Sequence, residues 1–275
     1  IPMVSPLSSF DVTKGNPYTF QIRNGLSKQI ELATNYLGSK YKQNVIILGR
    51  AVEKSNPEFV NFQQQLRQAL QDQDPSHKAT CKTLFFSETA QNYTSATSQE
   101  TDIEHYLSAN SPNYIILQSE NEVFITEIIN KLHDLSTQYD LHVFGLNQWV
   151  FDKLDMGHLY SVNLELYTDF DEYTFVDYSD PAVNHFCLKY KENWSIAPSR
   201  YSFQGFDVAY YFTSALFQFG HDFTASVSCW DKYLNNRSML TAIKFKPTSD
   251  ADGFENKAIT IIRFQKEELT RKKVN

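Results

Sequence analysis

Cysteine is scarce in this chain. Only Cys81, Cys187 and Cys229 occur among 275 residues, and none belongs to a C-x-x-C pair. Zinc-ribbon and thioredoxin-like sites are therefore excluded, and an odd count leaves room for at most one internal disulfide. The plainest reading is three reduced, small hydrophobic side chains. Long apolar runs are absent too: no stretch approaches the roughly 20 residues that span a bilayer. No signal peptide is recognisable, and the first residue is Ile1 rather than Met, so an upstream part is expected to have been removed or left out. Positive charge is neither abundant nor clustered. The net charge is −7, and the only basic run is Arg271, Lys272 and Lys273 at the tail. Nucleic-acid binding needs grouped Lys and Arg, so no nucleic-acid partner is expected. The tail reads as a solvated end.

Catalytic signatures are missing as well. Gly49-Arg50 does not continue into G-x-G-x-x-G, and neither a phosphate-binding G-x-x-x-x-G-K-[ST] loop nor a G-x-S-x-G elbow occurs. The seven histidines are scattered, with no H-x-x-x-H or H-E-x-x-H spacing, so no metal site is expected. Acidic groups at 169–172 and at Asp177 with Asp180 could do acid–base work, but a solvated loop face explains them better. Asp250, Asp252 and Gly253 resemble part of a calcium loop without its remaining ligands. No cofactor and no enzymatic activity are expected.

What is present is an ordinary globular composition, 41% hydrophobic and 21% charged, with 15% aromatic residues. Buried aromatic rings explain most of that excess. The run NVIILG at 44–49 reads as a buried strand. Asn56-Pro57 then opens a helix, with Phe59, Phe62, Leu66, Ala69 and Leu70 at helical spacing. Residues 83–86 form the next strand, 103–107 a short helix and 114–117 a third strand. Residues 122–138 follow as a helix with Val123, Phe124, Ile128, Leu132 and Leu135 on one face, and 141–145 is a fourth strand. Apolar strands alternating with helices are the signature of a parallel sheet covered on both faces. Later, 160–167 reads as a strand and 181–194 as a helix. Residues 204–219 read as a helix so apolar that it should be deeply buried. Residues 241–245 and 258–264 look like closing strands around a turn at 250–253.

Ligands of open parallel sheets bind beyond the carboxyl ends of the strands. That rule singles out the loops 49–56, 87–89, 118–121 and 147–149. Ser119, Glu120 and Asn121 offer a hydroxyl, a carboxylate and an amide at a helix start; helix capping is the bland alternative. Asn147, Gln148 and Trp149 offer two amides and an indole; loop polarity beside a packed Trp is the bland alternative.

Several segments resemble a known family. IPMVSPLSS at 1–9 resembles the first-lobe strand and loop of type I periplasmic (solute) binding proteins. NPYTFQ at 16–21 is similar to their N-P-Y-x-F-Q crossing segment. FVDY at 175–178, with Val183, Phe186 and Tyr190, resembles a second-lobe segment. PSRYSFQGFD at 198–207 is similar to the return segment P-x-x-Y-x-x-x-G-Y-D, and Phe254-Glu255-Asn256 to the segment before the last strand. The chain also resembles a Bacteroidota subgroup in which this domain follows lysin-motif (LysM) repeats. It implies a two-lobed α/β fold with parallel sheets flanked by helices and a truncated first lobe. Residues 1–22 and 198–245 would be that first-lobe remnant, 23–197 the second lobe, and 246–275 closing strands and tail of unassigned lobe. In this family, Ser and Thr hydroxyls of the first-lobe loop hold an amino acid's carboxylate, and Ser5, Ser8 and Ser9 fall in that loop.

The resemblance implies a non-enzymatic, periplasmic or cell-envelope module. It would hold or sense an amino acid, peptide or cell-wall fragment between two lobes. The alternative is a degenerate structural module of a peptidoglycan-associated protein, bound to the wall through an upstream LysM region not in this chain. A homodimer is a further expectation, from the apolar 204–219 segment.

Overall fold

The computed structural model describes all residues except 1, 9, 42, 74–79, 89–92, 96–102, 146–148, 150–153, 169–175, 228–237, 267 and 275. The chain divides into two compact units. Unit 1 comprises Ile1–Leu26, Asp169–Thr260 and Lys273–Asn275; unit 2 comprises Ser27–Thr168 and Ile261–Lys272. By this division residues 169–197 and 246–260 go with unit 1.

Unit 2 is built on an eight-stranded sheet. Its strands are β3 (Asn44–Arg50), β4 (Cys81–Glu88), β5 (Tyr93–Ser95), β6 (Asn113–Leu117), β7 (Leu141–Gly145), β8 (Glu165–Thr168), β11 (Ile259–Gln265) and β12 (Glu268–Val274). The spatial order is β12-β11-β8-β7-β6-β3-β4-β5. Neighbours β4, β3, β6, β7 and β8 run parallel, and β5 closes one edge antiparallel to β4. The parallel strands are solidly apolar because helices cover the sheet: Val45 to Leu48, Ile115 to Leu117, Val143 and Phe144 are all buried.

Helix α2 (Pro57–Gln73) begins where Asn56 and Pro57 predict. Asn56 Oδ1 accepts the Glu58 N–H at 2.8 Å, and Phe59, Phe62, Leu66 and Leu70 are buried. Helix α3 (Glu122–Leu135) buries Phe124, Ile125, Ile128, Ile129, Leu132 and Leu135. Val123, expected on that face, is instead 59% exposed. It lies five residues before Ile128, which at about 100° per residue turns it well away from the buried stripe. The expected strand over 160–167 is also corrected. Residues Met156–Ser161 form helix α4, capped by Asp155, and the strand begins only at Glu165. The tail is ordered as well as solvated: Lys272, exposed, and its neighbours form β12, an edge strand.

A buried ionic cluster joins three elements of unit 2. The Glu165 carboxylate, 2% exposed, receives Lys40 Nζ from helix α1 (Leu26–Lys40) at 2.5 Å and lies 2.6 Å from Arg263 Nε on β11. The Tyr36 hydroxyl donates to the same carboxylate at 3.0 Å and accepts from Arg263 at 3.0 Å. Burial and the adjacent carboxylate push the Tyr36 phenol up to about 12. Burial outweighs the pull of Glu165 on Lys40 and leaves that amine's pKa lowered.

Unit 1 holds a four-stranded sheet in the order β1 (Met3–Ser5), β2 (Thr19–Gln21), β10 (Phe254–Asn256), β9 (Phe245–Pro247). Its core is aromatic. The Phe20 ring stacks on Phe254 with centroids 4.6 Å apart and meets Phe212 and Phe245 edge-on at 5.1 Å. Helix α5 (Pro181–Trp194) places Phe186 against Phe203 of helix α6 (Arg200–Phe219). Helix α6 departs from the expected all-round burial. It starts earlier, at the Ser199 cap, and buries one face that includes the polar Gln204 and Asp207, while Phe217 is 92% exposed. Its apolar residues are spread around the axis: Phe203, Tyr211, Phe212 and Ala215 are buried, Val208, Tyr210 and Phe219 pack beside them, and Leu216 and Phe217 face outward.

Polar residues of the family-like segments have structural duties in unit 1. Asp207 accepts three backbone N–H groups, from Met239, Leu240 and Thr241, at 2.6–2.7 Å. Asn256 accepts from Lys244 and Ala258 and donates to the carbonyls of Ile22 and Ala242. Gln21 Nε2 donates to the carbonyls of Ser8, Phe10 and Arg23, so it fixes the first loop. Asp252 accepts the Gly15 N–H at 2.7 Å, which ties two turns together.

Candidate functional site

The site grows from the strand ends of unit 2. β3 and β6 are parallel neighbours, paired from Asn44↔Asn113 to Leu48↔Leu117, so the loops that follow them emerge side by side. β7 is the next parallel neighbour, with Gly145 opposite Leu117. After β3 the chain makes a short 3-10 turn, Ala51–Glu53, before α2; after β6 it enters α3 directly.

These two loops are tied together by Glu53. Its Oε2 accepts the Arg50 N–H at 2.7 Å, and its Oε1 accepts the Ser119 hydroxyl at 2.8 Å. Ser119 Oγ in turn accepts the Asn121 N–H at 3.2 Å, and Asn121 Oδ1 caps α3 by accepting the Phe124 N–H at 2.9 Å. Gly49 is required just below: a Cβ there would lie 2.5 Å from the Phe59 ring.

Between the loops is a pocket of about 410 Å³ lined by Arg50, Glu53, Asn56, Glu58, Phe59, Gln118, Ser119, Glu120 and Asn121. That volume suits a small organic ligand. Gln118 is 8% exposed, and among the described residues its Oε1 has no hydrogen-bond partner. Glu120 is exposed at the rim. Partial burial, and then repulsion from Glu58 and Glu53, hold its carboxyl above the ordinary value.

The candidates from sequence divide as follows. Ser119, Glu120 and Asn121 come together on the pocket; Asn121 is also a helix cap, and Ser119 is 3% exposed. Trp149 is 1% exposed, lies over Gly145 and is not among the pocket residues. Ser5 and Ser8 belong to unit 1, where the Ser8 hydroxyl donates to the Phe10 carbonyl and accepts its N–H. Ser9, Asn147 and Gln148 lie outside the described residues. Arg50, Glu53, Asn56, Glu58, Phe59 and Gln118 were not singled out individually. The loop rule pointed to 49–56 and 118–121, but nothing in the sequence shows that the first turn of α2 faces the β6–α3 loop.

No protein-family model matches the sequence. None of the curated proteins matches it either. Solved structures do. A protein from Rhodospirillum rubrum described as a branched-chain amino acid ABC transporter superposes with a TM-score of 0.55 at 13% identity, covering 98% of this chain and 72% of that one. A branched-chain amino acid ABC transporter periplasmic ligand-binding protein from Burkholderia xenovorans gives 0.52 at 10% identity, covering 100% and 71%. An ABC transporter substrate-binding protein from Desulfitobacterium hafniense, in complex with Leu, gives 0.51 at 13% identity, covering 99% and 73%. The fold is that of the two-lobed periplasmic binding proteins. Among the described residues, no helix of this binding-protein fold is long and apolar enough to cross a membrane.

Proposed function

We propose that this chain is a non-enzymatic solute-binding or sensing module of the cell envelope. The observation that carries this reading is the pocket at the carboxyl ends of β3 and β6, in a fold shared with a substrate-binding protein solved with Leu. Binding without chemistry suits its lining. Among the described lining residues there is no His, Cys or Lys, and the single hydroxyl, Ser119, donates to Glu53. The expected ligand is an amino acid, a short peptide or a cell-wall fragment, and the compartment is the periplasm.

A thermal-shift screen with amino acids, short peptides and muropeptides tests the reading. A ligand specific to the native state adds about 2.7 kcal/mol at a hundred times its Kd, and the melting temperature rises with concentration. A screen with no shift, together with retention of the chain by peptidoglycan-associated partners, would instead favour the degenerate structural module of a lysin-motif protein. Light scattering checks the homodimer.

A further inference from the structure

We propose that the connection between α5 and α6 is a membrane-contact tip, which seats Trp194, Ile196 and Tyr201 in the interface of an anionic phospholipid bilayer. The tip lies in unit 1 and does not depend on the unit 2 pocket or on what that pocket takes.

Exposure is the first argument. Residues from Lys191 to Ala197 are exposed without a break. Within this connection Trp194 is 68% exposed, Ile196 61% and Tyr201 50%. Single exposed apolar residues are ordinary, whereas a group of them marks a contact surface. The body of α5 turns its apolar side chains inward: Val183 is buried, and Phe186 meets Phe203 and Phe206 of α6 with centroids 5.1 and 4.9 Å apart. The tip is also held in shape. Ser195 takes a left-handed backbone, φ 59°, and its N–H donates to the Lys191 carbonyl at 2.8 Å. Ser199 and Ser202 then cap the start of α6. A preorganised tip loses little freedom on docking.

Chemistry favours a lipid surface over a protein. Trp and Tyr join an apolar ring to a polar edge, which suits the headgroup level of a bilayer. From Lys189 to Tyr201 the charged side chains are Lys189, Lys191, Glu192 and Arg200, a formal excess of two positive charges in a chain of net charge −7. The Arg200 guanidinium lies over the Tyr201 ring, 4.6 Å from its centroid, so cation and ring reach a surface together. Basic groups beside inserted rings attract anionic headgroups, while lysine is depleted from protein interfaces. The three apolar side chains together expose on the order of 300–400 Å². That is about half of the roughly 800 Å² per partner that a stable protein interface buries. A bilayer receives a few inserted side chains without such a threshold.

The test is co-sedimentation of the full chain with vesicles of phosphatidylcholine alone, and of phosphatidylcholine with phosphatidylglycerol in equal parts. The expected result is binding to the anionic vesicles, weakened by added salt, and far less to the neutral ones. Trp194→Ser/Ile196→Ser should weaken binding about tenfold or more, because both side chains leave water on docking. Both are exposed, so circular dichroism and melting should stay at the parent's values. Val123→Ser, which removes an exposed apolar side chain from unit 2, should bind like the parent. Trp194→Phe keeps a ring at the tip but removes its fluorophore. It should still sediment, while quenching of tryptophan emission by brominated lipid falls well below the parent's. Failure to sediment with anionic vesicles overturns the proposal, and so does equal binding by the parent and the Trp194→Ser/Ile196→Ser variant. A dimer in light scattering that this double variant loses, with no vesicle binding, would give the tip to a second copy and overturn the proposal too.

Discussion

Gly145 shows how a single missing side chain builds the fold beneath the pocket. A Cβ on it would lie 2.6 Å from Trp149 and 2.8 Å from Leu166. Gly145→Ala should therefore cost about 1–3 kcal/mol, as overpacking does. Urea unfolding checks this, and an unchanged midpoint would show that Trp149 moves aside freely. Asp207 carries more. Removing its carboxylate strands three backbone N–H groups in a place where Asp207 itself is only 2% exposed. Asp207→Ala should lose about 3 kcal/mol or more on that account, and a loss below about 1 kcal/mol would mean water replaces the carboxylate. Glu120 gives the pH dependence. Its folded-state pKa is raised, so its contribution to stability is fully present below the unfolded carboxylate range and is lost as pH rises through the folded value. Glu120→Gln should thus gain melting temperature relative to the parent between acid and neutral pH, by no more than a few tenths of a kcal/mol at so exposed a site. Parallel melting curves of both proteins across that range decide it; a difference independent of pH would remove the repulsion argument. Such residue roles were only partly legible. Ser119, Glu120 and Asn121 line the pocket, and strand ends and helix caps give such positions a local signature. Gln118 lies in a loop that the strand-end rule marks, whereas Glu58 needs the pairing of β3 with β6, which no local pattern encodes.

At the level of elements, legibility followed the length and clarity of the periodicity. α2 and α3 announce themselves through a cap and a long amphipathic stripe, and both appear where expected. α4 has six residues, too few for a pattern, and its Tyr160 and Ser161 read as part of the strand that follows. α6 misleads for a different reason: composition is not burial, and Leu216 and Phe217 face outward despite their character. β12 was missed because its run of Arg271, Lys272 and Lys273 looks solvated, although charged residues, lysine above all, are common on an edge strand. The Glu165 cluster is where elements depend on one another. β11 returns to the sheet of unit 2 after a long excursion through unit 1, and its Arg263 meets β8 and α1 at one buried carboxylate. Glu165→Ala leaves Lys40 and Arg263 facing each other without a counter-ion, which should cost about 3 kcal/mol, the lower end for a broken buried pair because both cations keep some solvent. Arg263→Met, which leaves Lys40 paired with Glu165, should cost less. Equal losses in equilibrium unfolding would show that the cluster does not act as a unit.

At the scale of the whole molecule, the parallel pairing of β4, β3, β6 and β7 followed from solid apolar strands separated by helices, though not their spatial order, and the binding-protein fold followed from segments spread across the chain. Those segments turn out to be largely internal fastenings: Gln21, Asp207 and Asn256 satisfy backbone groups of neighbouring loops. That explains how they mark a fold without naming a ligand. The ligand question belongs to the pocket of unit 2 and is answered most directly by hydrogen–deuterium exchange. The chain is compared with and without the most stabilising compound of the amino-acid, peptide and muropeptide panel. The account predicts slowed exchange in peptides covering 50–59 and 118–121, where the two loops gain a shared partner. A stabilising compound that leaves both segments unprotected, while protecting others, would contradict it.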